Sequence, residues 1–179
     1  MRNMTVRESI LKTAAKLFYQ QGYSNTGINQ IIEQAGIAKS SLYQHFKSKE
    51  ELLMAYLQLT GAETLALLTE ASEHGTSPKQ KVLAIFDYLA ASVTNESFHG
   101  CHFLNIVYEM PHDALRVREQ VKLQKQGVRD LFDDILRPLE NEALANEIYT
   151  LFEGALIGHK VHNDPWPVLA ARAVVEKLL

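Results

Sequence analysis

The stretch from residue 39 to residue 49 is rich in side chains that can bind a nucleic acid. Gln44 can bond an adenine edge through both ends of its amide, and Lys39 can reach a guanine edge or a phosphate. Phenol, imidazole and ammonium groups donate hydrogen bonds to phosphate oxygens, and serines permit close approach. The polar residues that we expect to face DNA are Lys39, Ser40, Ser41, Tyr43, Gln44, His45 and Lys49.

These side chains need a helix to present them on one face. Leu42 and Phe46 stand four residues apart, which predicts a short helix from about Lys39 to Phe46 with both residues facing the core. A second short helix is predicted before it, with Thr26 as its cap and a possible phosphate contact. Gly36 separates the two helices, so the segment has the layout of a helix-turn-helix.

The residue string itself is more specific than this layout. The segment FYQQGYSNTGINQIIEQAGIAKSSLYQHFKSKEELL strongly resembles the TetR family of bacterial transcriptional regulators. The resemblance covers about residues 5–55 and includes Ala35-Gly36-Ile37 and the run from Leu42 to Leu52. It implies that Tyr43, His45 and Lys49 contact phosphates. A weaker similarity to one branch of the family covers residues 100–105 and Glu109.

Each of these residues also has a simpler interpretation. Tyr43 can be a core aromatic with its hydroxyl at the surface, and His45 can cap the end of its helix. Lys47 fits a solvated surface charge better than a DNA contact. Direct base readout by Gln44 depends on the operator sequence.

Charge is distributed unevenly along the 179 residues. Residues 1–50 carry seven Lys or Arg and three acidic residues, a net charge of +4, whereas the whole chain has a net charge of −3. A basic N-terminal segment on an acidic body is typical of a protein that binds a polyanion. The 46% hydrophobic fraction argues against disorder, and the single cysteine argues against a disulfide scaffold.

The remaining sequence predicts helices and no sheet. Thr5 and Glu8 have capping-box spacing, as do Ser48 and Glu51, and Ser77-Pro78 begins another helix. We therefore predict an all-α fold of about nine helices. It comprises a three-helix DNA-binding domain over residues 1–50 and a ligand-binding and dimerisation domain over residues 51–179.

A helix-turn-helix of this size needs a second copy for useful affinity, so we expect a homodimer. The last two helices carry broad apolar stripes with small residues, and the family resemblance implies that they pair between subunits as a four-helix bundle. The alternative is that both helices only close the core of one chain. The predicted interface residues are Leu151, Gly154, Ala155, Gly158, His159, Leu169 and Ala173.

The middle helices are expected to hold a small effector that is apolar or aromatic. The candidate wall residues are Leu65, Phe86, Leu89, Cys101, Leu104, Asn105, Tyr108 and Phe132. Most of them can equally be core residues. A metal- or redox-responsive site at Cys101 with His99 and His102, completed by His159 or His162, is an alternative. It lacks a second cysteine, and no Lys or Arg lies near Cys101 in the sequence.

An enzyme is the rival class of function. The sequence contains no Gly-rich phosphate loop, nucleophile elbow or paired metal motif, so we predict no catalytic residues, no metal and no cofactor. The expected partners are double-stranded operator DNA, a small-molecule effector and a second copy of the chain. No apolar run is long enough for a predicted membrane span, and no signal sequence is recognisable, so we expect a cytoplasmic protein.

Overall fold

The computed structural model describes residues 4–179, and every regular element within that range is helical. Its α-helices are α1 (Val6–Gln21), α2 (Ile28–Ala35), α3 (Lys39–His45), α4 (Lys49–Glu73), α5 (Pro78–Val93), α6 (His102–Glu109), α7 (Leu115–Leu136), α8 (Glu142–His162) and α9 (Trp166–Leu178). A short 3₁₀ helix over Arg137–Leu139 follows α7. The predicted all-α class and the nine helices are confirmed for this part of the chain.

The helices form two compact units. The first contains the described residues up to Gly61 together with His102–Val121, and the second contains Ala62–Cys101 together with Lys122–Leu179. The predicted boundary between residues 50 and 51 does not coincide with this division. The reason is that α4 runs without a break past residue 50, while α6 packs with the N-terminal helices.

Local capping explains where several helices begin. The Thr5 side chain accepts a hydrogen bond from the Glu8 backbone N–H, and the Glu8 carboxylate accepts one from the Thr5 N–H, which completes the predicted capping box. The Ser77 hydroxyl caps α5 at Gln80, with Pro78 as the first helical residue. These bonds satisfy N–H groups that have no partner inside the helix.

One predicted helix boundary is wrong in detail. The residue that caps α2 is Gly27 rather than Thr26, because the Thr26 hydroxyl points back and donates to the Gly22 carbonyl at 2.7 Å. Gly22 follows the last residue of α1 with φ 91° and ψ 155°, a backbone conformation that favours glycine.

Each unit has its own apolar core. In the first unit, α1, α2 and α3 pack against one another, and Phe18 contacts Tyr23 and Tyr56 edge to face. In the second unit, Phe86, Phe132 and Phe152 meet with ring centroids 5.6–6.4 Å apart. Tyr23 is half-buried, and the other rings of both clusters are buried. Removal of such apolar surface from water favours folding.

Helices α8 and α9 pack closely within one chain. A Cβ atom at Gly158 would lie 2.8 Å from the Pro167 Cβ. We interpreted the small size of Gly158 as a sign of contact between subunits, but its neighbour is α9 of the same chain. A Gly158→Leu substitution would therefore disturb the fold of the monomer and cannot test dimerisation.

Helix α4 is long and apolar enough, by length and composition, to cross a membrane. In its most apolar window, 44% of the residues are buried inside the protein. It is the one such helix among the described residues.

Candidate nucleic-acid interface

The turn between α2 and α3 depends on Gly36. This residue has φ 65° and ψ 37°, which is left-handed backbone that glycine adopts without steric cost. Its N–H and that of Ile37 donate to carbonyls at the end of α2, so the chain reverses within two residues. The turn sets the direction in which α3 leaves α2, as the helix-turn-helix layout requires.

Helix α3 divides into a buried face and an exposed face. Leu42 and the following Phe46 are buried and fix the helix on the core. Lys39, Ser40, Tyr43, Gln44 and His45 are exposed, and Ser41 is half-buried. Tyr43 is 44% exposed, so the alternative of a core aromatic does not hold. The structure therefore brings six of the eight predicted DNA-binding residues onto one short helix.

Thr26 does not join that exposed face. Its side chain is completely buried, and its hydroxyl is bonded to the Gly22 carbonyl. A phosphate contact through this side chain is therefore a wrong prediction, because hydroxyl and phosphate cannot meet without unfolding the turn.

Lys49 has a defined position at the first residue of α4. Its Nζ lies 4.1 Å from the centroid of the Tyr23 ring, a cation–π contact. Partial burial lowers the pKa of Lys49, although the negative charge of Glu109 opposes that effect. Nearby, Ser48 and Glu51 cap the start of α4, since the Ser48 hydroxyl accepts from the Glu51 N–H.

Glu109 contributes to the site in a way that the sequence did not reveal. Its carboxylate accepts hydrogen bonds from the backbone N–H groups of Tyr23 at 3.3 Å and Ser24 at 2.7 Å. A Cβ at Gly22 would lie 2.9 Å from the same carboxylate. The last residue of α6 thus holds the turn between α1 and α2.

The opposite end of α6 is held by His102. Its ring stacks on Tyr19 with centroids 3.8 Å apart, and its Nδ1 lies 2.5 Å from the Tyr56 hydroxyl. Burial lowers the pKa of His102 to about 4, so the ring is neutral near pH 7. One end of α6 is therefore fastened to α1 and α4, and the other to the turn between α1 and α2.

The neutral state of His102 makes the protein sensitive to acid. The unfolded chain binds this proton near pH 6.5, whereas the folded chain binds it only near pH 4. The stabilising contribution is therefore complete above pH 6.5 and is lost as the pH falls towards 4, by on the order of 3 kcal/mol. Urea unfolding of wild type and His102→Gln at pH 6.5 and at pH 4 measures this contribution to the free energy of unfolding.

The difference between the two proteins isolates His102 from other titrating groups. His102→Gln keeps an acceptor for Tyr56 but cannot titrate, so its free energy of unfolding should fall less on acidification. His74→Gln, which changes an exposed histidine, should behave like wild type. If the free energy of unfolding fell equally in wild type and His102→Gln on acidification, His102 would not be the source of the acid sensitivity.

The predicted effector residues occupy different environments. Phe86, Leu89 and Phe132 are buried in the second unit, where Cys101 is half-buried and Leu65 lines an open cleft along α4. Leu104 and Asn105 are half-buried on α6 in the first unit. Tyr108, also on α6, is 73% exposed and faces solvent, so it does not line an enclosed cavity.

The predicted interface residues also divide into two groups. Ala155 and His159 are buried within the chain, and the His159 Nδ1 lies 3.1 Å from the Asp164 carbonyl oxygen. Gly154, Leu169 and Ala173 are exposed, and Leu151 is half-buried. Further exposed apolar residues lie on the same two helices, namely Ile157, Val161, Trp166, Val174 and Leu178.

The alternative metal site is not assembled among the described residues, which contain no group of three or more possible ligands. His102 pairs with Tyr56, and the His162 ring packs beside Trp166. Cys101 instead lies 3.2 Å from the Lys125 Nζ.

Comparison with known proteins extends the similarity over nearly the whole chain. Residues 10–56 match the family model described as bacterial regulatory proteins, tetR family. The uncharacterized HTH-type transcriptional regulator YxaF of Bacillus subtilis is 36% identical over 170 residues, covering 91% of this chain and 89% of that protein. The HTH-type transcriptional repressor NemR of Escherichia coli K12 is 25% identical over 185 residues, covering 97% and 93%. The crystal structure of SCO4454, a TetR-family transcriptional regulator from Streptomyces coelicolor, has a TM-score of 0.87 at 27% identity and covers 96% of this chain and 88% of that one.

Proposed function

Since this chain belongs to the TetR family of bacterial transcriptional regulators, we propose that it is a homodimeric repressor that a small ligand releases from a palindromic operator. It is a DNA-binding regulator with an N-terminal helix-turn-helix. A protein that acts on bacterial DNA works in the cytoplasm. The exposed polar face of α3 carries the proposal.

The chemistry of α3 supports operator reading. The helix is only seven residues long, so its exposed side chains can enter a major groove together. Gln44 is the candidate for direct base contact, and Lys39 can bond a guanine or a phosphate. Tyr43 and His45 present donors that suit phosphate oxygens.

Exposed apolar side chains on α8 and α9 support a dimer. Val161 is 72% exposed and Trp166 is 52% exposed, although both are large and apolar. Several large apolar side chains exposed on two helices that pack together are a candidate interaction surface. Pairing this surface with its copy would join two DNA-binding heads in one molecule.

The aromatic core of the second unit supports an apolar or aromatic effector. Phe86 and Phe132 come from α5 and α7, and each also contacts Phe152 of α8. A ligand that inserted between these rings would change how three helices pack. It releases DNA only to the extent that it binds the DNA-free arrangement more tightly.

Salt dependence of DNA binding tests the phosphate contacts. Lys49→Gln should weaken binding to all sequences alike and reduce the slope of log affinity against log salt by about one, because one phosphate contact is lost. Lys47→Gln removes the same charge two residues earlier, from an exposed side chain, and should leave the slope unchanged. Gel retardation at several salt concentrations measures both, and equal slopes in all three proteins would refute the assignment of Lys49.

A further inference from the structure

The ring of Tyr23 connects two parts of the first unit. Tyr23 lies in the turn between α1 and α2, and its ring meets Phe18 of α1 edge to face with centroids 5.2 Å apart. The same ring contacts the Lys49 ammonium, whose Nζ lies 4.1 Å from the ring centroid. The turn between α1 and α2 therefore touches the first residue of α4 through one aromatic side chain.

The backbone of Tyr23 is held as firmly as its ring. Its N–H donates a hydrogen bond to the Glu109 carboxylate at 3.3 Å, and the N–H of the following Ser24 donates to the same carboxylate at 2.7 Å. Hydrogen bonds to a charged acceptor are stronger than neutral ones. Phe18, the ring partner of Tyr23, is itself buried in the core. The Tyr23 ring thus has a defined place relative to the start of α4.

The contact with the ring leaves the charge of Lys49 available for another anion. The face of an aromatic ring attracts an ammonium group without neutralising it. Among residues 4–179, no carboxylate forms an ion pair with Lys49. An ammonium has three N–H donors, so Lys49 can donate to a phosphate while its stem remains against the ring.

A lysine that is held before DNA binds loses less freedom on binding. The lysine side chain is a flexible four-carbon stem, and fixing it on a partner costs conformational entropy. Restricting a group in its bound arrangement raises affinity mainly because this loss is smaller. The Tyr23 ring restricts Lys49 in the free protein, so less of its freedom remains to be lost when a phosphate binds.

We propose that Tyr23 is a positioning residue for DNA binding, whose ring holds the Lys49 ammonium in place for a DNA phosphate. The ring performs this role, and the hydroxyl is not needed for it. The proposal rests on the phosphate contact of Lys49 proposed above. It adds a residue that lies outside α3 and outside the set of DNA-binding residues that the sequence indicated.

Gel retardation at several salt concentrations separates the ring from the charge. Tyr23→Leu keeps apolar bulk against Phe18 and should weaken binding to all DNA sequences by about two- to tenfold, the cost of ordering one long side chain. The slope of log affinity against log salt should stay unchanged, because Lys49 keeps its charge. Tyr23→Phe keeps the ring and should bind like wild type, as should Tyr88→Leu, which removes a half-buried tyrosine of the second unit. Equal weakening by Tyr23→Phe and Tyr23→Leu would overturn the role of the ring.

A double-mutant cycle shows whether Tyr23 acts through Lys49. The variant that combines Tyr23→Leu with Lys49→Gln should bind DNA no more weakly than Lys49→Gln alone. If Tyr23→Leu weakened binding by the same factor in both backgrounds, Tyr23 would only support the fold of the turn, and the proposal would be wrong while the phosphate contact of Lys49 stood. Unchanged affinity and salt slope in Lys49→Gln alone would instead refute that phosphate contact, and this proposal with it.

Nuclear magnetic resonance tests the position of Lys49 without DNA and without a variant that could misfold. A ring face shifts nearby protons upfield, so the ε-methylene protons of Lys49 should lie upfield of those of Lys47, whose side chain is exposed. Tyr23→Phe should keep this shift, and Tyr23→Leu, checked for folding by thermal melting, should abolish it. Lys49→Gln identifies the signals by their loss. Lys49 signals that coincide with those of Lys47 in the wild-type protein would overturn the proposal.

Discussion

Charge introduced on the exposed apolar surface of α8 and α9 is expected to separate the dimer and to lower operator affinity by about a hundredfold or more. Ile157 and Leu169 are 38% and 50% exposed in the single chain, so Ile157→Glu with Leu169→Glu leaves the monomer core intact. In a dimer each carboxylate would be buried without a partner, which is strongly unfavourable. In a dimer, binding of one head raises the effective concentration of the other head at the DNA, which increases operator affinity by about 10²–10⁴. A monomer lacks this increase.

Sedimentation and gel retardation measure the two effects separately. The double variant should sediment as a monomer at micromolar concentration and keep the thermal stability of a folded helical protein. Leu139→Glu changes an apolar residue of similar exposure in the 3₁₀ helix and should remain dimeric. A double variant that stayed dimeric with unchanged operator affinity would place the subunit interface on other helices.

Loss of the Gln44 amide is expected to cost about 1–3 kcal/mol of binding to the preferred site, or roughly 5- to 150-fold in affinity. Gln44 is exposed on α3 between the residues assigned to phosphates, so Gln44→Ala removes base contacts and leaves the charges in place. Affinity for unrelated DNA should be nearly unchanged, because it depends on phosphates. Fluorescence anisotropy measures the affinity for each DNA and so gives the ratio of specific to unrelated binding.

Gln34 provides the matched control for this substitution. Gln34 is exposed, as Gln44 is, but it lies on α2 rather than on the DNA-facing helix. Gln34→Ala should keep the wild-type ratio between specific and unrelated DNA. If Gln44→Ala weakened both DNAs equally, Gln44 would be a backbone contact rather than a base reader.

Local signals in the sequence were sufficient for most of the helices and for α3. The start of α3 and its buried Leu42 follow from helical spacing, and the start of α5 follows from Ser77-Pro78. Such signals act over one turn of helix, so they can be recognised without the fold. Thr26 shows their limit, since one hydroxyl can cap the next helix or bond backwards to Gly22, and packing decides between them.

The contacts that fasten α6 could not be predicted in the same way. Glu109 and Ser24 are 85 residues apart, and no local pattern distinguishes this carboxylate from a solvated one. The same holds for Lys125 and Cys101, whose proximity results from the packing of α7. Gly158 looked like an interface residue because small residues permit close approach, yet the sequence does not say which helix approaches.

Selection of binding sites from a random DNA library tests the account most directly. If the exposed face of α3 reads DNA in a homodimer, wild type should enrich two inverted half-sites whose centres lie about one helical turn, or a multiple of it, apart. Gln44→Ala should lose base preference at matching positions in both half-sites while it keeps the spacing. Enrichment of a single half-site, or the same base preferences in wild type and Gln44→Ala, would contradict the account.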